Sequence, residues 1–152
     1  MINPAIRPAR PEDCTQVKRI AMEAYTPYLA RMDREPFPML DDYAAHIAGG
    51  HVFLAEKNDD IAGYIVLLPT DEGLLLDNIG VSPQFQGQRI GTFLVSFAES
   101  HARTAGQDTI WLYTNEIMTE NLAWYAKLGF RETRRAMEMG YKRVYFAKEL
   151  NR

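Results

Sequence analysis

Residues 81–99, VSPQFQGQRIGTFLVSFAE, constrain the fold more than any other stretch of this chain. An apolar, strand-like run ends at Val81, Ser82-Pro83 stops further pairing, and helical periodicity begins near Gln88 or Arg89. The polar turn between them carries glycine. In the first turn of a helix the backbone N–H groups lack intrahelical acceptors and carry partial positive charge. Glycine lets a ligand approach that backbone closely. The stretch therefore has the properties of an anion site suited to a pyrophosphate. Its spacing fits a plain helix start after a loop equally well. Two nucleotide-binding patterns do not fit it: Gly-Lys-Ser/Thr is missing, and so is the three-glycine dinucleotide fingerprint.

The rest of the chain alternates in the same layered way. AIRPA reads as a first strand, and RPEDCTQVKRIAMEAY as a helix with Val17, Ile20, Ala21 and Ala24 at helical spacing. TPYLARMDREPFP is irregular, and MLDDYAAHIAGG is a short helix ending at a glycine pair. HVFLAEK and IAGYIVLLP are strands joined by the tight-turn signal NDD, and GLLLDNIGV is another strand. A long helix follows, with Ile90, Phe93, Leu94, Phe97 and Ala98 as its apolar stripe and Gly106 as its stop. DTIWLYT reads as a buried strand. TENLAWYAKLG reads as a helix between an N-cap at Thr119 and a C-cap at Gly129. FRETRRAM and KRVYFAKEL are the last strands. The order β-α-α-β-β-β-α-β-α-β-β predicts an α/β (α+β) fold, with a mixed, mainly antiparallel sheet and helices on its faces.

With 152 residues the chain is expected to form one domain, 1–152. A net charge of −3 argues against nucleic acid as the main ligand. One cysteine, Cys14, excludes an internal disulfide and fits a cytoplasmic setting. No apolar run approaches the ~20 residues that span a bilayer, so no membrane partner is expected. No apolar core of a signal peptide follows the start. His46, His51 and His101 lie far apart without Cys or acidic companions at ligand spacing, and no metal is expected.

Two segments carry a family resemblance. NIGVSPQFQGQRIGTFL resembles the acetyl-CoA-binding segment of the GNAT superfamily of N-acetyltransferases, in which Gln/Arg-x-x-Gly-x-Gly/Ala follows a strand ending in valine. The motif falls on Gln86, Gly87, Gln88, Arg89, Ile90 and Gly91, and Arg89 stands where the family often has glycine. Downstream, NLAWYAKLGFRET resembles the family's Tyr-x-x-Leu-Gly-Phe segment. Motif order, spacing and element order all agree over nearly the whole chain.

The resemblance implies a sheet of about seven strands whose fourth and fifth strands splay, with the pantetheine arm of acetyl-CoA in the gap. Ile79, Gly80 and Val81 would then bond the pantetheine. The loop from Gln86 through Gly91 to Thr92 would hold the pyrophosphate through backbone N–H groups, which explains the missing lysine. An amine would attack the thioester directly through a tetrahedral intermediate, without an acyl-enzyme, and Cys14 is left to packing. Tyr125 matches the family's general acid for the departing thiolate. Asn121, on the same helix face, would bond the CoA arm. Relatives carry that asparagine at the position of Met118, and Asn115 is a rival.

The general base is expected at Asp77, on one face of its strand with Ile79 and Val81. Glu116 is the weaker candidate, and water-mediated transfer remains open. A structural Asp77, at a bulge or paired with Arg131, is the alternative. Tyr25, Tyr28 and Met32 are expected to bind substrate in a rim that also carries Phe37, Tyr43, Asp33, Glu35, Asp41 and Asp42. Such a rim suits a small cationic amine. Acetylation of a protein N-terminus or lysine is the close variant, and a CoA-binding module without catalysis the more distant one. A monomer or a homodimer is expected.

Overall fold

The computed structural model describes residues 4–150. Its strands are β1 (Ala5–Pro8), β2 (Val52–Lys57), β3 (Asp60–Thr70), β4 (Gly73–Val81), β5 (Thr109–Asn115), β6 (Arg131–Glu138) and β7 (Tyr141–Glu149). Its helices are α1 (Cys14–Tyr25), α2 (Tyr43–Ala48), α3 (Ile90–Thr104) and α4 (Thr119–Lys127). The element order is the expected one. The strands form one seven-stranded sheet, β1-β2-β3-β4-β5-β7-β6. Every neighbouring pair is antiparallel except β4 and β5.

Local chemistry explains most boundaries. Asn58 and Asp59 both adopt positive φ, 55° and 65°, the mirror-image turn that matches strand twist in a two-residue hairpin. Asp42 caps α2 by accepting from the Ala45 N–H at 3.1 Å. Gly129 follows α4 at φ 95°, a left-handed position that suits glycine. Some details differ from expectation. Met118, not Thr119, precedes α4, without a side-chain cap. The buried stripe of α3 is Ile90, Leu94, Val95, Ala98 and Ala102, with Phe93 and Phe97 half-buried. Only Ile110 and Leu112 of β5 are buried, because one face of that strand borders a cavity. The connection after α1 contains two short 3-10 turns, Thr26–Arg31 and Phe37–Met39.

The two faces of the sheet carry separate cores. On one side α3 and α4 cover Ile65, Leu67, Leu74, Leu76, Ile110, Leu112 and Val144. On the other, α1 and α2 cover Val52, Leu54, Tyr64 and Val66 with Val17, Ile20, Tyr43 and Ile47. Tyr43 was expected in the substrate rim. It sits instead in this second core, where its hydroxyl donates to the Pro38 carbonyl at 2.6 Å and lies 3.2 Å from the Tyr64 hydroxyl.

Two irregularities shape the centre of the sheet. β4 and β5 pair only at Leu74–Ile110 and Leu75–Trp111, then part. The expected splay is therefore present, and it opens a cleft between their C-terminal halves. Opposite β3, Val66 pairs with Asn78 and Leu67 with Leu76, so Asp77 is the extra residue of a β-bulge. The bulge reverses the alternation along β4. Leu74 and Leu76, then Ile79 and Val81, pack on the α3 side. Asn78 reaches the opposite side, where it bonds Tyr43 and Tyr64, and Asp77 lies beside His46 of α2. The expectation that Asp77 shares a face with Ile79 and Val81 is thus corrected: the bulge turns Asp77 away from them.

Candidate active site

Two cavities meet at the splay, sharing Tyr25, Ile79 and Asn121. The larger is an open channel of about 420 Å³, lined by Ile79, Gly80, Val81, Gln86, Gly87, Arg89, Ile90, Gly91 and Thr92, with Tyr25, Tyr28, Asn121 and Trp124 opposite. The first α3 hydrogen bond from this turn runs from the Phe93 N–H to the Arg89 carbonyl, at 3.0 Å. The amides of Ile90, Gly91 and Thr92 therefore precede the helical ladder and face an anion-binding position. Gly87 adopts φ 79° and Arg89 φ 64°, ψ 24°. For arginine that left-handed conformation costs about 1 kcal/mol, which explains why glycine suits this position. The Arg89 side chain lines the channel.

Gln88 does not line the channel. Its side-chain oxygen accepts from Lys57 Nζ at 2.7 Å, tying the loop to the end of β2. Its N–H donates to the Phe85 carbonyl.

The second cavity is smaller, about 60 Å³. Tyr125 and Asn121 of α4, Asp77 and Ile79 of β4, and Tyr113 and Asn115 of β5 line it together with Pro36–Pro38, Asp41, Met118, Tyr141 and Arg143. The segment between α1 and α2 forms its roof and is tied down at both ends. Arg31 makes a bidentate pair with Glu120 at 2.6 and 2.7 Å. The Tyr141 hydroxyl donates to the Glu35 carbonyl, and Arg34 to the Met139 carbonyl, both at 2.8 Å.

Tyr125 is buried against Trp124, Phe130 and Phe146, and burial raises its phenol well above the ordinary range. Tyr25 is also buried, and its hydroxyl donates to the Ile79 carbonyl at 2.9 Å, fixing the splayed edge of β4. Asn121 Nδ2 lies 3.5 Å from Thr114 Oγ1, and Asn121 borders both cavities. The other expected substrate residues lie elsewhere. Tyr28 lines the channel but not the small cavity, and Met32 faces a separate depression beside Glu116 and Lys142. Glu116 pairs with Arg135 at 3.0 Å on the surface.

Asp77 lies in a charged cluster that crosses three elements. Its carboxyl is pushed up to about 6, first by burial and next by the charge of Asp41, while His46 and Arg143 act in the opposite direction. His46 Nε2 stands 3.1 Å from Asp41 Oδ1 and 3.9 Å from Asp77 Oδ2. Asp41 Oδ2 is buried with no hydrogen-bond partner. Arg131, the alternative partner for Asp77, is not part of the cluster. His46 also departs from the expectation of isolated histidines: the fold brings two carboxylates to it, with donor atoms within 4.8 Å of one another.

Comparison with known proteins agrees with this geometry. The profile of the acetyltransferase (GNAT) family matches residues 14–130. The uncharacterized N-acetyltransferase YvbK of Bacillus subtilis is 33% identical over 95 residues, covering 62% of this chain and 61% of that protein. The mycothiol acetyltransferase of Sanguibacter keddieii is 31% identical over 101 residues, covering 59% of this chain and 32% of that protein. The matches thus span less than two thirds of these curated relatives. Among solved structures, a GCN5-related N-acetyltransferase from Rhodopseudomonas palustris superposes with a TM-score of 0.79 at 22% identity, covering 99% of this chain and 98% of that one. The PaiA N-acetyltransferase of Thermoplasma acidophilum, in complex with coenzyme A, does so with a TM-score of 0.80 at 18% identity, covering 97% and 99%.

Proposed function

The chain belongs to the acetyltransferase (GNAT) family, and on that premise we propose that it moves the acetyl group of acetyl-CoA to the primary amine of a small molecule. The observation that carries this reading is the pair of cavities meeting at the β4–β5 splay, a larger one ending at helix amides and a smaller one lined by Tyr125 and Asp77. The open channel fits the long CoA arm. The amides of Gly87 and of Arg89 through Thr92 would hold the pyrophosphate, and the backbone of Ile79–Val81 beyond the last β4–β5 pair the pantetheine. The small cavity fits the acceptor, and its small volume favours a small amine over a protein N-terminus or lysine.

Residue roles follow from position. Asp77 takes the proton of the incoming ammonium as general base. The amine then attacks the thioester carbonyl directly. Tyr125, kept protonated by burial, gives its proton to the departing thiolate sulfur and is reprotonated by the proton that the nitrogen sheds as the intermediate collapses to the amide. Asn121 and Tyr25, at the junction, orient the arm and the β4 edge. Thermal-shift titration is expected to reveal stabilisation by CoA and none by ATP, and acetyl-CoA turnover is expected with a panel of small amines. Stabilisation by CoA with no turnover on any amine would leave a CoA-binding module instead.

Gly91 gives a local test of the channel. A Cβ there would lie 3.1 Å from Trp124 Cζ2 and 3.2 Å from Cη2. Gly91→Val is expected to push the indole into the channel and weaken CoA binding by about tenfold, or about 1.4 kcal/mol. Titration calorimetry with CoA checks this. Unchanged affinity would place the arm away from Gly91.

A further inference from the structure

The smaller cavity is charged at two places, with opposite signs. Asp77 and Asp41 contribute carboxylates whose side chains are each only 10% exposed. Arg143, from β7 opposite Asn115, contributes a guanidinium that is 11% exposed. All three border the same space. We propose that the acceptor is a small aminocarboxylate, with its ammonium on Asp77 and its carboxylate on Arg143. The proposal deepens the acetyltransferase reading above and rests on it.

Arg143 is placed to receive a carboxylate. The guanidinium carbon lies 4.2 Å from the centre of the Tyr113 ring, so stacking occupies its face and fixes its plane. The N–H donors of a guanidinium project from the edge and match the two oxygens of a carboxylate. Its neighbours on one side are Glu138, with Oε1 3.6 Å from Nη1, and the Tyr145 hydroxyl, and a guanidinium has five N–H donors, more than these two acceptors use. At the opposite pole, Asp41 Oδ2 has no partner and Asp77 sits on the bulge next to the splay. Tyr25, Phe37 and Tyr141 wall the space between.

Charge balance separates the substrate classes. A diamine would bring a second ammonium towards Arg143. An anion without an amine would meet Asp41 and Asp77. A buried ion without a partner is costly, so each mismatch weakens binding. A molecule with one charge of each sign meets a partner at both poles. A polypeptide amine would need to continue out of the cavity. On that side the roof is pinned where Tyr141 bonds the Glu35 carbonyl and Arg34 the Met139 carbonyl.

The test uses matched pairs, each an amino acid and the amine left when its carboxylate is replaced by hydrogen, such as alanine with ethylamine and phenylalanine with phenethylamine. Putrescine is added as a diamine. The wild-type chain is expected to favour the carboxylate-bearing member in kcat/KM by about 10- to 100-fold. A carboxylate also lowers the basicity of its own amine, so the decisive quantity is how that ratio changes on substitution. Assayed at about pH 8.5 or above, where Asp77 is ionised with or without the influence of Arg143, Arg143→Gln is expected to abolish the preference through KM while activity on the plain amine persists, which shows that the variant is folded. Arg143→Lys, which keeps the charge, is expected to retain part of it. The proposal is overturned if plain amines or putrescine are preferred, or if Arg143→Gln lowers both members of a pair equally. If acetyl-CoA binds but no amine is acetylated, the acetyltransferase reading itself falls, and this one with it.

Discussion

Tyr125→Phe is expected to lower kcat by about 10²- to 10³-fold, the range of a lost general acid, with acetyl-CoA affinity and melting temperature nearly unchanged. The physical basis is the separation of packing from chemistry in this side chain. The ring is held by Trp124, Phe130 and Phe146, with centroid distances of 5.0, 5.7 and 6.1 Å, and phenylalanine keeps all three contacts. The hydroxyl borders the cavity and no described protein group is hydrogen-bonded to it. Removing a buried hydroxyl without a protein partner costs the fold little. Steady-state kinetics, CoA titration and thermal melting of one variant separate the two roles. Unchanged turnover with an intact fold would leave Tyr125 as a packing residue.

Asp77→Asn is expected to move activity and stability in opposite directions. In the wild type, kcat/KM is expected to climb with pH through about 6, as the Asp77 carboxyl ionises and becomes a base. The variant is expected to lose that limb and about 10²-fold or more of the rate above it. Stability follows the same titration with the other sign. The folded carboxyl is raised from its ordinary 3.8 to about 6. The folded state therefore holds a proton through a window in which the unfolded chain has already released it. Folding stability falls as pH rises across that window, and at neutral pH the ionised Asp77 costs about 2–3 kcal/mol. Asparagine removes the cost, so the variant is expected to melt higher than the wild type at pH 7.5 and no higher at pH 4. A lower melting temperature at neutral pH would instead make Asp77 a structural residue, since such a residue loses stability when altered.

Much of the fold was legible because its signals are local. The Asn58-Asp59 hairpin, the stop at Gly129 and the helix start before Ile90 each depend on residues within a few positions of one another. The same holds for the channel. Its lining depends on backbone amides at a helix start, which a short motif specifies whatever the distant chain does. Gln88 was the exception, because Lys57, from another strand, drew its side chain away. The smaller cavity was less legible. Tyr28 and Met32 belong to the right segment, but its 3-10 turns direct them to other spaces. Arg143 carried no signal of its own: in β7 it reads as one polar residue in an alternating strand.

The sequence alone therefore specified the order of elements, the strand-to-helix anion turn and the two motifs that lead to Tyr125. Periodicity, caps and turn residues act over a few positions, and they survive in a one-dimensional reading. Tertiary structure decided which charges share the smaller cavity. The bulge at Asp77 reverses the facing of β4, the splay removes its pairing with β5, and the tied roof lowers Asp41 beside it. β7 then brings Arg143 to the same space from the far end of the chain. Sheet register and the packing of distant segments produce that meeting of opposite charges, and neither leaves a periodic trace in the residues themselves.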